Sequence, residues 1–380
     1  MTEAYIVDAV RTPTGRRGGG LSSLHPADLL GSVLQALVDR SGIDPGAVDD
    51  VITGCVAQMG AQAWNIGRNA WLSAGLPEHV PAVTIDRQCG SSQQAVTFAS
   101  YGIKAGEQDL VIACGVEAMS TVPLNSSGDP GLGFGYPFGG QGWADRFGDQ
   151  EIHQFRGGDL IAEKWGIGHE EMFDLALRSH GNAARAQDEG RFDREIIEVG
   201  GVGRDEGVRR DSTKEKMAGL APIRPGGLHN AALASQIADG AAAVLLASER
   251  AVERYGLTPL ARVHTTTVVG ADPVLILTGP IPATGRALER SGLTPDRIDL
   301  FECNEAFAAV VLAWAKEIGA DLTRVNVNGG AMALGHPLGA SGARLMTTLV
   351  HELVRSGGRY GLQTMCEGGG LANATVIERV

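Results

Sequence analysis

Along the chain, short runs of β-branched and apolar residues alternate with longer stretches in which apolar positions recur at helical spacing. AYIVDAV (4–10), DDVITGCV (49–56), AVTID (82–86) and DLVIACG (109–115) predict strands. Between the first two lies HPADLLGSVLQALVDRSG, whose Leu30, Leu34 and Leu37 share one helical face ahead of a glycine stop. Strands alternating with helices predict an α/β architecture.

The last third repeats this pattern in the same order. LARVHTTTVVG answers the opening strand, and TPDRIDLFECNEAF answers DPGAVDDVITGCV. RVNVNGG then answers AVTIDRQCG, and RYGLQTMCEGG answers QDLVIACGVEA, each about 250 residues later. Four ordered matches predict two copies of one βα unit set rather than a solenoid, whose period is far shorter. The boundaries expected are a first half at 1–118 with 239–255, an intervening unit at 119–238, and a second half at 256–380.

Between the copies the pattern changes. SSGDPGLGFGYPFGGQGWADRFGDQ (126–150) mixes glycine with aromatics and shows no helical period, so it reads as a long ordered loop near a pocket or a subunit contact. The segment 158–192 then predicts two helices.

The length of 380 residues predicts two or three domains. A net charge of −12 argues against nonspecific nucleic-acid binding. One basic run stands out, RRDSTKEKMAGLAPIR, with Arg209, Arg210, Lys214, Lys216 and Arg224. It reads either as a solvated loop or as an anion site. No apolar run reaches the roughly eighteen residues of a membrane span. MTEAYIVDAVRTP reads as a strand and turn rather than a secretion signal. The five cysteines show no close pairing, and together these features predict a reduced, cytoplasmic protein.

Reactive side chains concentrate in four segments: RQCGSS, ECNEAFAA, GGAMALGHPLGASG and MCEGGG. Cys89 is placed just before a helix start, where the dipole and free N–H groups favour a thiolate. Nucleophile, metal ligand and small core residue are the three readings of a cysteine there. No C-x-x-C or H-x-x-x-H spacing supports a metal. Cys55 and Cys114 fall in strand patterns and are expected in the core, with Cys303 packed beneath Asn304.

Taken together, the four segments resemble the thiolases, which cleave or form 3-ketoacyl-CoA. Asn304-Glu305-Ala306-Phe307, Gly335-His336-Pro337 and Cys366-Glu367-Gly368 match that family's C-terminal motifs, and Cys89 matches its nucleophile. RQCGSS and MCEGGG look most like actinobacterial thiolases of lipid and sterol breakdown. The resemblance implies the thiolase fold, a five-layered α/β/α/β/α core of two duplicated halves plus a loop domain. It implies that Cys89 attacks the keto carbon and that His336 takes its proton. Asn304 fixes a water beside the enolate oxygen, with Glu305 orienting its neighbours. Cys366 supplies and recovers the second proton, and the N–H of Gly368 joins that of Cys89 in an oxyanion hole. Ser235, Arg209, His153 and Phe307 are the implied coenzyme A contacts. Acyl-CoA and CoA are the implied partners, with no tightly bound cofactor and a homodimer or homotetramer as the assembly.

The chain departs from the family pattern at Ser92, where glycine is usual, and at Ile276-Leu277-Thr278-Gly279-Pro280, where Met-Gly-x-Gly-Pro is common. A phenylalanine familiar in the loop domain is absent from APIRPGG. The acyl specificity is therefore expected to differ from that for acetoacetyl-CoA. The competing functions are a biosynthetic acetoacetyl-CoA thiolase, a ketoacyl synthase and a non-catalytic acyl-CoA-binding protein. A synthase normally carries histidines where this chain has Asn304 and Cys366, and a non-catalytic protein is expected to have lost one of the four motifs.

Overall fold

The structure, a computed structural model, describes residues 2–380. Its strands are β1 (Ala4–Arg11), β2 (Gly15–Arg16), β3 (Asp50–Gly54), β4 (Ala82–Ile85), β5 (Leu110–Ala118), β6 (Ala238–Ser248), β7 (Ala261–Gly270), β8 (Leu300–Cys303), β9 (Tyr360–Glu367) and β10 (Leu371–Arg379). The helices are α1 (Pro26–Ser41), α2 (Ile66–Ser73), α3 (Ser91–Ala105), α4 (Gln141–Phe147), α5 (Gln154–Lys164), α6 (His169–Asp188), α7 (Lys214–Ala218), α8 (Glu249–Tyr255), α9 (Pro280–Ser291), α10 (Ala308–Ile318), α11 (Ala331–Leu334) and α12 (Leu338–Ser356).

The strand order is β4-β3-β5-β6-β1-β7-β10-β9-β8, with β2 pairing β6. Read outward from the β1–β7 junction, the two sides correspond position by position. β1, β6, β5 and β3 match β7, β10, β9 and β8, and a parallel bridge between Phe301 and Val325 stands where β4 stands on the other side. The junction is slight: β1 meets β7 only at Tyr5–Arg262 and Ile6–Ala261.

Side-chain alternation builds five layers. Val7 and Val10 of β1 pack outward with Leu30, Leu34 and Leu37 of α1 and Trp71 of α2. Ile6 and Ala9 point inward to Val96 and Ala99 of α3 and to Met346 and Leu349 of α12. On the far side, Phe301 and Leu362 pack with Ala287 of α9 and Trp314 of α10. The layers are α1–α2, sheet, α3–α12, sheet, α9–α10, as the resemblance implied.

Strands β6 and β9 are buried at every position, because helices cover both faces. The chain between β5 and β6 leaves the first half but packs on the second. Ile161, Met172 and Phe173 join the cluster of Phe301 and Trp314, and Phe155 meets Phe307 edge-on at 5.4 Å. Arg11, buried on β1, ties this region back through ion pairs of 2.7 Å to Glu195 and to Asp205.

The stretch 128–148 is not loop throughout. It contains α4 and a 3-10 turn, Pro130–Leu132. Trp143 and Phe147, one turn apart, meet with tilted rings at 4.6 Å. A seven-residue helix holds too few apolar positions to establish a period. All five cysteines are unbridged and buried. Among the described residues, no helix is long and apolar enough to cross a membrane.

Candidate active site

Cys89 lies in the turn between β4 and α3, one residue before the helix N-cap, Gly90. Gln88 adopts a left-handed φ of 49°. Ser91 fixes the turn, its Oγ accepting from the N–H of Arg87 at 2.9 Å and donating to the carbonyl of Gln88 at 2.6 Å. The thiol faces a cleft lined among others by Val122, Leu124, Phe138, His153, Ile276 and Gly368. The expectation that this position favours a thiolate is overturned in the resting protein. Burial pushes the Cys89 thiol up to about 12 and Glu367 adds to this, while the N–H groups of Cys89 and Gly368 pull the other way. Desolvation outweighs a helix terminus that begins two residues later.

His336 occupies the link between α11 and α12, which turns on Gly335 at a φ of 97°. A side chain at that glycine meets Ala238 and Thr14, so the position needs both the left-handed backbone and the space. His336 Nδ1 lies 2.6 Å from Ser341 Oγ, which itself donates to the carbonyl of Pro337 at 2.9 Å. That network assigns the ring proton to Nδ1 and leaves the Nε2 lone pair facing Asn304, whose Nδ2 is 3.4 Å away. Burial, with Arg344 adding to it, holds the imidazole down to about 3. It is a neutral base.

Asn304 follows β8 and is braced from behind. Asn326 caps the strand end through both its amide atoms, with bonds of 3.0 and 2.9 Å to the backbone of Cys303. Asn326 also donates to Glu305 Oε1 at 2.9 Å, and Glu305 Oε2 accepts from Ser179 Oγ at 2.6 Å and from the N–H of Met332 at 3.1 Å. Every bond of Glu305 goes to the scaffold, which suits an orienting group. Cys366, near the end of β9, is fully buried. Burial raises its thiol well above the ordinary range, and the proximity of Cys89, Cys303 and Glu367 adds to that. Cys89 is thus close to Cys366 and shares its cleft with Gly368, and Asn304 meets His336. Leu338, two residues past His336, packs against the Cys89 cluster and joins the two groups.

The implied coenzyme A contacts divide. His153 lines the Cys89 cleft and caps α5, its Nδ1 accepting from the N–H of Phe155 at 3.3 Å. Ser235 donates its N–H to the carbonyl of Ala306 at 3.0 Å, beside the bridge between Ala234 and Phe307. Phe307 is buried against Phe155 and His229. Arg209 stands apart, in a second cleft with His180, Lys216 and Gln236 that shares no lining residue with the first. Most of the basic run is spoken for. Arg210 pairs with Asp188, Lys214 with Glu170 and Asp174, Lys216 with Asp211, and Arg224 with Glu151. Among the described residues, Arg209 has no carboxylate partner.

The family model described as Thiolase, N-terminal domain matches residues 4–250, and Thiolase, C-terminal domain matches 257–379. The chain belongs to the thiolase family. This thiolase is 57% identical to steroid 3-ketoacyl-CoA thiolase FadA6 of Mycobacterium tuberculosis, over all of this chain and 95% of that one. It is 43% identical to 3-oxoadipyl-CoA/3-oxo-5,6-dehydrosuberyl-CoA thiolase of Escherichia coli, over the full length of both. Among solved structures, human mitochondrial 3-ketoacyl-CoA thiolase superposes with a TM-score of 0.90 at 36% identity, covering 100% of this chain and 99% of that one, and it has also been solved in complex with CoA.

Three residues that shape the thiolase site were not singled out from its sequence. Ser341 sets the His336 tautomer, and its only sequence signal is its place in the first turn after His-Pro. Glu117 and Arg344 are isolated charges in apolar runs. Glu117 accepts from the N–H groups of Val56, Ala57 and Gly339 and from Gln62 Nε2, all at 2.8–3.0 Å. A charge inside a buried strand is itself a signal, because burial demands partners. Arg344 is fully buried with all three guanidinium nitrogens unpartnered among the described residues.

Proposed function

We propose that this thiolase degrades 3-ketoacyl-CoA through an acyl-enzyme on Cys89. The supporting observation is that Cys89 and Cys366, one from each half, lie close enough for charge on one to oppose charge on the other, while a neutral His336 is held next to Asn304 and Leu338, two residues on, packs against Cys89. His336 Nε2 takes the Cys89 proton as Sγ attacks the C3 carbonyl. The C2–C3 bond then breaks, leaving its electron pair on C2 as an enolate of acetyl-CoA. Donors at Asn304 and protonated His336 stabilise the enolate oxygen. Cys366 gives its proton to C2, and acetyl-CoA leaves. A CoA thiol then passes its proton to the Cys366 thiolate and attacks the Cys89 thioester. The N–H groups of Cys89 and Gly368 hold that carbonyl oxygen while Cys89 is expelled as a thiolate, which takes back its proton from His336 as the shortened acyl-CoA departs. Both raised thiols suit this sequence, since each loses its proton only while a partner is ready to take it.

His153, Ser235 and Phe307 are assigned to the CoA arm, and the unpaired Arg209 to its anionic end. A steroid-derived or other bulky acyl group suits a cleft walled by Val122, Leu124, Phe138 and Ile276, in line with the steroid thiolase relative. Condensation of two acetyl-CoA is the less supported direction, since acetyl-CoA acetyltransferase of Cupriavidus necator is the more distant relative at 40% identity.

We assign 1–118 with 239–255 as the first half, 119–238 as a loop domain and 256–380 as the second half of a cytoplasmic homo-oligomer. The support for assembly is the unpaired outer edge of β4, with Val83 42% exposed and Trp64 93% exposed nearby in sequence. Incubating the enzyme with acyl-CoA and mapping the adduct by mass spectrometry tests the central reading. A thioester on Cys89 is expected, and an acyl group on any other residue overturns it.

A further inference from the structure

Glu367 stands between Cys366 and Gly368 and takes no part in the chemistry above. It is fully buried at the end of β9, and neither carboxyl oxygen has a hydrogen-bond partner among the described residues. The carboxyl lies on the backbone of Gly90, where a Cβ collides with Glu367 Oε1 and lies 2.8 Å from Asn373 Nδ2. Asn373, on β10, also donates to the carbonyl of Gly90 at 3.2 Å. The two side chains cup the residue that follows the nucleophile, so only glycine fits there.

The groups around this carboxyl come from three sides. The turn before α3 brings Arg87, whose Nε is likewise buried and unpartnered, along with Asp86 and Cys89. β9 brings the Cys366 thiol, and β10 brings only the Asn373 amide. The apolar side chains packed with Cys89 are Leu338, Leu345 and Met365, and the further titratable groups lining its cleft are Glu117 and His153.

We propose that Glu367 is a positioning residue for Cys89: its carboxyl seats the Cys89–Gly90 turn, and its ionisation opposes the thiolate on Cys89. The inference rests on Cys89 being the nucleophile. Burial pushes the Glu367 carboxyl up to about 8, against the pull of Arg87. It is therefore neutral in mildly acidic solution and anionic in alkali. After burial, Glu367 is the strongest influence raising the Cys89 thiol. Two anions this close disfavour each other. Alkali, which would by itself favour the thiolate, thus also switches on a charge that resists it.

The test is the rate of Cys89 alkylation by iodoacetamide in the free enzyme from pH 6 to 9.5, with the label located by mass spectrometry. Glu367→Gln is expected to react about tenfold faster than wild type at pH 9, the effect of roughly one pKa unit, and within about twofold of it at pH 6. Glu367→Asp, which keeps the charge, is expected to follow wild type. The wild-type profile alone also decides. Its slope should fall below one decade per pH unit near pH 8, and an unbroken slope of one decade overturns the proposal. Superposed wild-type and Gln profiles, or a Gln variant slower at every pH, overturn it too. A label on another residue would instead overturn the reading of Cys89.

Discussion

Glu117, at the end of a strand in the first half, accepts a 2.8 Å hydrogen bond from the N–H of Gly339, three residues beyond His336 in the second. Its other donors, Val56, Ala57 and Gln62, all belong to the first half. One carboxylate thereby pins the histidine loop to the half that carries Cys89. Removing it in Glu117→Ala frees that loop. We expect kcat to fall by about a hundredfold, the cost of a misplacement near 1 Å, with little change in KM. Steady-state kinetics check this, and a variant that melts like wild type with unchanged kcat sinks it.

The same junction depends on absent side chains. A Cβ on Gly115 meets the carbonyl oxygen of Gly339, and one on Gly54 lies 2.8 Å from it. The start of α12 is thus seated directly on the ends of β3 and β5. Gly115→Ala should cost about 1–3 kcal/mol of stability, as overpacking usually does. Urea denaturation measures it, and an unshifted midpoint would refute the close approach.

How far the sequence disclosed this arrangement varied with the kind of element. β1, β3 and β5 read directly from their apolar runs, and α1 from its leucine face and glycine stop. Strand β6, ADGAAAVLLAS, is buried on both faces and so lacks the alternation that marks a half-exposed strand. Its partner in the duplication, β10, went unread for a related reason: it is buried at all but its two end positions. In the site, the motif residues were legible because reactive side chains stood beside glycine and proline. The residues that hold them in place were not. Ser341 acts through a tautomer, and Glu117 through a partner 222 positions away. Contacts of that kind leave no local pattern. The helix start beside Cys89 is visible in the sequence and points to a thiolate, whereas the burial that overrides it is not.

Glu302 gives the protein a pH-dependent stability. Burial pushes this carboxyl up to about 8, with Arg344 pulling it down. The folded state therefore keeps a proton that the unfolded chain, with an ordinary carboxylate near 4.5, has released. For a raised carboxyl, the stability is fully present below about 4.5 and is lost as pH climbs through about 8. Glu302→Gln removes the titrating group and should flatten the decline of the urea midpoint between pH 5.5 and 8.5. Parallel declines in the variant and wild type would show that Glu302 is not its source.

Cys366 and His336 should separate the two halves of the reaction. Transfer of an acyl group from acyl-CoA to Cys89 expels CoA as a thiolate, which is stable enough to depart even when Cys366 is not there to protonate it. Cleavage of the C2–C3 bond instead leaves a carbanion equivalent that must be protonated. Cys366→Ala should accordingly still accumulate the Cys89 thioester from acyl-CoA, while thiolysis of 3-ketoacyl-CoA falls by roughly 10²–10⁴-fold, the usual loss for a general acid–base group. His336→Ala should lose both reactions, because the same Nε2 takes the Cys89 proton and then supports the enolate oxygen. Adduct formation is read by mass spectrometry and thiolysis by the loss of 3-ketoacyl-CoA absorbance. Normal thiolysis in Cys366→Ala, or a His336→Ala enzyme that acylates as fast as wild type, would break the assignment of these two groups.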